Sequence, residues 1–220
     1  MSAPGMVVRL ASVVCLGVLP SSCGDREQAP RAASEAAAPA AAATTATGQA
    51  TVTGRVAAPK PGTSTVVILK PTGPLEFPAQ VQQPVMDQIS LAFTPTILFA
   101  RIGQPTEFRN SDDELHNIRV MDAETKEPAF NVALPTGGTF RHTFATEGFY
   151  DVGCDIHPGM SAVIIASRSP FTILVADSGQ FTFANVPPGE YTLSVYTGAA
   201  RFERTVTVTA GPFDMGTVAP

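Results

Sequence analysis

The chain has no tryptophan, only three histidines and three cysteines, and no long apolar run. Past Ser22 there are 13 Lys and Arg against 19 Asp and Glu. The basic patches that phosphate binding needs are therefore missing, and nucleic acid is excluded as a partner. The most apolar stretch, Leu10 to Leu19, falls well short of the ~20 residues of a membrane span. Long helical periodicity is absent as well. What is there is 20 Pro and 18 Gly, separating short runs rich in Val, Ile, Phe and Thr. That pattern predicts an all-β protein.

The apolar run follows Arg9 and ends at Pro20-Ser21-Ser22, so residues 1–22 read as a secretory signal and the protein as exported, to the periplasm in a bacterial cell. Cys15 would leave with that segment. Cys23, directly after two serines, stands where an exported lipoprotein is lipidated, which would anchor the chain to a membrane. Residues 23–49 are mostly Ala, Pro, Thr, Glu and Ser and cannot build a core, so they read as a flexible tether. Cys154 is then the one thiol of the folded part. In an oxidising compartment a lone thiol persists when it is buried or bound to metal.

The surroundings of Cys154 point to metal. In Cys154-Asp155-Ile156-His157-Pro158-Gly159-Met160 a thiolate, an imidazole and a thioether share one loop. Two His and one Cys with a weak axial Met form the donor set of a blue, type 1 copper site. The second imidazole is His116, delivered by the polar turn Asn110-Ser111-Asp112-Asp113-Glu114-Leu115. The third histidine, His142, lies between Phe140 and Phe144 on the parity of one strand face, which predicts a structural role. The acidic run Asp112-Asp113-Glu114 reads as a solvated turn that also steers a basic partner.

The short runs place strands at Thr51–Val56, which alternates, at Thr65–Lys70, which is more continuously apolar, and at Thr96–Arg101, Thr106–Asn110, Gly148–Cys154 and Ser161–Ser167. Tyr150, Val152 and Cys154 share one face, which should be the core. Gly137-Gly138 should begin a hairpin. Pro188-Gly189 should turn the run Gly179–Phe183 back on Tyr191–Val195, with Tyr191, Leu193 and Val195 on one face.

The ending Gly179-Gln180-Phe181, then Pro187-Pro188-Gly189-Glu190-Tyr191, resembles the carboxypeptidase regulatory-like, transthyretin-like β-sandwich module, and Ala50 to Lys70 resembles its opening strands. The resemblance implies a discontinuous sandwich made of residues 50–74 and 177–220. A copper domain at 75–176 would be inserted in it. In the alternative arrangement two domains are packed in sequence, and Ala50 to Lys70 supplies the first strands of the copper domain.

Residues from about Met86 to Ala176 resemble the cupredoxins, the plastocyanin, amicyanin and pseudoazurin type of small blue copper protein. The matching residues are Phe108-x-Asn110 leading to His116-Asn117, Gly148-x-Tyr150-x-Val152-x-Cys154, and Cys154-x2-His157-x2-Met160. The short spacing before the Met is the amicyanin-like form. The whole chain past the signal is similar to bacterial plastocyanin-like proteins of methylamine-utilisation type that carry a carboxypeptidase regulatory-like segment. These resemblances imply a Greek-key β-sandwich or barrel with one type 1 copper ion. Its ligands would be His116, Cys154, His157 and Met160, with Asn117 tying the two ligand loops together. They imply a carrier of single electrons, not an enzyme, working with redox proteins such as a c-type cytochrome or a periplasmic oxidoreductase. Storage or delivery of copper is the alternative use of the same ligands.

Overall fold

The computed structural model describes residues 48–198 and 200–219. The expected signal segment, Cys23 and nearly all of the expected tether lie outside them. The described chain is all β. Its strands are β1 (Ala50–Arg55), β2 (Thr65–Pro71), β3 (Val85–Ile89), β4 (Ala92–Thr94), β5 (Ile97–Arg101), β6 (Pro105–Asn110), β7 (His116–Asp122) and β8 (Pro128–Leu134). They continue with β9 (Thr139–Thr143), β10 (Gly148–Gly153), β11 (Ser161–Ser167), β12 (Thr172–Leu174), β13 (Gln180–Val186), β14 (Gly189–Thr197), β15 (Ala200–Val208) and β16 (Gly211–Thr217).

Two sheets built from both ends of the described chain form a first sandwich, in the orders β13-β1-β16 and β12-β2-β14-β15. Alternation in β1 buries Ala50 and Val52 and leaves Thr51 and Arg55 in solvent. Across the gap, Val67, Leu69, Tyr191, Leu193 and Val195 complete a single apolar cluster with Phe171, Phe181 and Phe183. Each large side chain fully buried in this way stabilises the fold by about 1.5–3 kcal/mol relative to exposure. Gly54 is required here, because a Cβ at that position would lie 2.5 Å from the Phe181 ring. The Tyr191 hydroxyl donates to Pro187 O at 2.7 Å, which gives a completely buried ring a partner for its one polar group.

Strands β3 to β11 form a second sandwich, with sheets β4-β3-β6-β9 and β5-β11-β10-β7-β8. Met86, Phe93, Phe108, Ile118, Val120, Tyr150, Val152 and Ile164 fill it, and Cys154 and Met160 lie in the same cluster. The outer faces of the two sandwiches meet in a third, smaller cluster. Val66, Ile68 and Tyr196 of the first pack there on Ile97, Phe99, Phe149, Val163 and Ile165 of the second. This contact explains why β2 is buried along both faces and reads as a continuous apolar run rather than an alternating one.

Three local expectations are corrected. Phe171, β12 and Val175 belong to the first sandwich, where β12 pairs with β2. The segment expected at 75–176 is therefore too long at its C-terminal end. The run at β13 does not fold back on β14, since β13 pairs with β1 while β14 pairs with β2 and β15. Pro187-Pro188 thus carries the chain from one sheet to the other, and the shared face of Tyr191, Leu193 and Val195 is retained. The glycines 137 and 138 likewise join β8 to β9 across the two sheets rather than in a hairpin. Gly137 N–H donates to Asn110 O, and Asn110 N–H donates to Gly138 O.

Candidate metal centre

The first ligand segment is shaped by Asn110 at the end of β6. Its Nδ2 donates to Glu114 O and Leu134 O, both at 2.8 Å, and its Oδ1 accepts from Asp112 N–H at 3.0 Å. These bonds fold residues 110–115 into a compact turn and bring His116 to the start of β7, where it is fully buried. The second segment leaves β10 and returns at β11. Met160 N–H donates to His157 O at 3.3 Å and Cys154 N–H to Met160 O at 3.4 Å, closing the loop on itself. Gly159, with φ at +105°, supplies the left-handed residue that this closure requires.

Strand β10 directs Cys154 into the core, and the loop turns His157 back over it. His116 Nδ1 lies 2.9 Å from His157 Nδ1 and 3.8 Å from Cys154 Sγ. The three ligand atoms all fall within 4.8 Å of one another. Imidazole nitrogen and thiolate bonds to a transition metal run at roughly 2.0–2.3 Å, so one ion fits among all three donors. Their softness matches copper or zinc. Met160 is buried in the same core as Cys154, at the far end of this short loop. The structure thus brings His116, Cys154 and His157 together, with Met160 in the buried core that also holds Cys154.

Asn117 sits between the two segments and bonds to both. Its Oδ1 accepts from Asp155 N–H at 2.7 Å and from the Cys154 thiol at 3.3 Å. Its Nδ2 donates to Asp155 Oδ2 at 2.9 Å and to Asn131 Oδ1 at 2.8 Å. His142 is elsewhere, in ring contact with Phe130 and Phe144 at centroid distances of 4.6 and 4.8 Å. Burial among those rings pushes its pKa down.

Three participants are missing from the sequence-based site. Asp155 is anchored by Arg119 at 2.7 Å and by Asn131 at 3.0 Å, and these bonds hold its carboxyl below the usual range, Arg119 foremost. Its place beside Cys154 in the motif was the available signal. Gln88, fully buried, donates to Asn117 O at 3.2 Å, and nothing in its local pattern marks it. Asp112 is not simply part of a solvated acidic turn. Its carboxylate accepts from Ser90 N–H at 2.6 Å, from Leu91 N–H at 2.8 Å and from His116 Nε2 at 3.0 Å. The Leu91 and Ser90 amides, then His116, hold its pKa down. Asp113 and Glu114 are exposed.

Fold and donor set together define an all-β protein with a His-Cys-His cluster fit for one metal ion. A family model described as polysaccharide lyase family 4, domain II, matches residues 167–212, within the first sandwich. No curated protein matches the sequence. Among solved structures, a novel purple cupredoxin from Nitrosopumilus maritimus is 25% identical, with 39% of this chain and 100% of that one covered and a TM-score of 0.35. A copper-containing nitrite reductase from Thermus scotoductus is 26% identical over 46% of this chain and 26% of its own, with a TM-score of 0.37. Amicyanin, as a point mutant in the reduced state, is 16% identical over 45% of this chain and 98% of its own, with a TM-score of 0.36.

Proposed function

We propose that this is an exported blue copper protein that carries single electrons between redox partners. The observation that carries the reading is the convergence of His116 Nδ1, His157 Nδ1 and Cys154 Sγ within 4.8 Å, with the thiol buried. When bound, copper would supply a one-electron couple between Cu(I) and Cu(II). The chain's own residues do the rest. His116 and His157 present neutral nitrogens, Cys154 presents a thiolate, and Met160 stands ready as the weak fourth donor. Asn117, bonded to the loops on either side of the site, keeps the donors in place before the metal arrives, which limits rearrangement when the charge changes.

His157 is half-buried while His116 is sealed, so His157 is the ligand that reaches the surface. The exposed side chains of Ile156, Leu115 and Leu91 belong to the loops that meet at the site. Such apolar neighbours suit a brief encounter with another redox protein. His142 is engaged among aromatic rings and is not among the converging donors.

The test is an absorption spectrum of the copper-loaded protein beside that of Cys154→Ser. An intense visible band present in the parent and lost in the variant is expected. A parent without that band, or a variant that keeps it, overturns the reading. Electron exchange with a c-type cytochrome, set beside copper transfer to a metal-free acceptor, separates carriage of electrons from delivery of copper.

A further inference from the structure

The turn between β3 and β4 is two residues long and left-handed at both, with φ at +54° for Ser90 and +58° for Leu91. This is the geometry of a type I′ hairpin, a turn that favours Asn and Gly. Neither residue suits it, and a leucine at positive φ is strained. The surrounding structure must therefore hold it. The hold is Asp112, whose two oxygens accept from the main-chain N–H groups of both turn residues.

The Asp112 oxygen that takes the Leu91 amide also faces His116 Nε2 at 3.0 Å. An ionised carboxylate only accepts hydrogen bonds, so the Nε2 of His116 must carry the proton. The opposite nitrogen, Nδ1, then keeps its lone pair, and Nδ1 is the atom that converges with His157 and Cys154. No Lys or Arg engages Asp112 among the described ion pairs; its charge is met by the two amides of the turn and by His116. The carboxylate is thus fixed in direction by backbone, which moves far less than a pairing side chain would.

We propose that Asp112 is a positioning residue that sets the tautomer and ring orientation of His116, with the left-handed turn Ser90-Leu91 as its anchor. This rests on the reading of His116 as a metal ligand, while the tautomer itself is a property of the metal-free chain. The role explains why the turn is held in its left-handed geometry. Its two amides are the donors that aim the carboxylate.

Nitrogen NMR of the metal-free protein at neutral pH tests the first part. His116 should be in the Nε2–H form in the parent and lose that preference in Asp112→Ala. Competition against a chromophoric Cu(I) chelator tests the second, with a loss of about 10–100-fold in affinity expected for Asp112→Ala, the usual effect of removing the outer partner of a ligating histidine. Asp112→Asn keeps one acceptor oxygen, should fall between the two, and serves if the alanine variant does not fold. The double variant Ser90→Asn, Leu91→Gly relieves the turn but keeps both N–H donors, and should leave tautomer and affinity as in the parent. An unchanged His116 tautomer in both Asp112 variants overturns the proposal. If the parent binds no copper, the proposed function fails by that result, and the tautomer measurement still decides the role of Asp112.

Discussion

Asn117 offers the sharpest test of how the ligand loops are held, because two substitutions of similar size make opposite demands on its surroundings. Asn117→Ala removes the acceptor of Asp155 N–H and leaves that amide without a partner beside a buried sulfur. An unmet donor costs about 1–3 kcal/mol when buried, and this part-buried amide falls toward the low end. The other partners lose less, since Asp155 keeps Arg119 and Asn131. A total of about 2 kcal/mol lowers the melting temperature of a domain of this size by roughly 4–8 °C. Asn117→Asp keeps the shape and the acceptor, but it puts an oxygen where Nδ2 now donates to the Asp155 carboxylate and the Asn131 carbonyl. That site then faces two acceptors, one of them charged. The aspartate should therefore be less stable than the alanine at neutral pH. Its own carboxyl, pushed up by Asp155, regains a proton as pH falls, so the difference should narrow on acidification. Thermal unfolding of the metal-free proteins followed by circular dichroism checks both points. An aspartate variant within about 2 °C of the parent, or above the alanine variant at neutral pH, refutes the account.

Burial raises the Tyr191 phenol to about 12, against an ordinary value of 10.0. Its stabilising contribution is therefore complete below about pH 10 and lost as pH rises toward 12, so Tyr191→Phe should flatten the alkaline side of the stability curve, read by urea unfolding, while lowering neutral stability by about 1 kcal/mol through the lost bond to Pro187. Pro158→Glu, in the exposed part of the ligand loop, should slow electron exchange with redox partners while leaving the visible spectrum nearly unchanged, and neutralising the exposed Asp113 and Glu114 should mainly reduce the salt dependence of that exchange.

The legible part of this chain was the part governed by local pattern. Strict alternation identified β10 and put Tyr150, Val152 and Cys154 on the buried face, and short spacing made the 154–160 loop readable as a ligand loop. The sheet to which a strand belongs is a different kind of fact. β13 and β14 are separated only by Pro187 and Pro188 and have clear alternation, yet they lie in different sheets, because the fully buried ring of Tyr191 packs under one sheet while Phe181 and Phe183 close it from the other. The hairpin at Gly137-Gly138 failed for a related reason: Asn110, distant in sequence, takes up the backbone groups of that turn. Strand β12 was placed with the wrong sandwich because three residues carry too little pattern to decide. Asp112 was visible only as one of three acids, since its two amide partners come from a turn more than twenty residues earlier.

The stitching of Leu69 to the Ser169 region, where the Ser169 hydroxyl donates to Leu69 O at 2.6 Å across 100 residues of sequence, bears on the order in which the chain can assemble. β1 and β2 leave the ribosome first, but their partners β12 to β16 are made only after the whole of β3 to β11, and Thr65 meets Thr197 across 132 residues. Closing so long a loop is favourable mainly if the intervening chain has already compacted. The second sandwich, whose pairings are all internal to β3 to β11, is thus poised to fold first, and its completion brings the ends of β2 and β12 within reach of each other. Until then Val67 and Leu69 wait uncovered on a strand without neighbours, and the early chain is most exposed to aggregation in that interval.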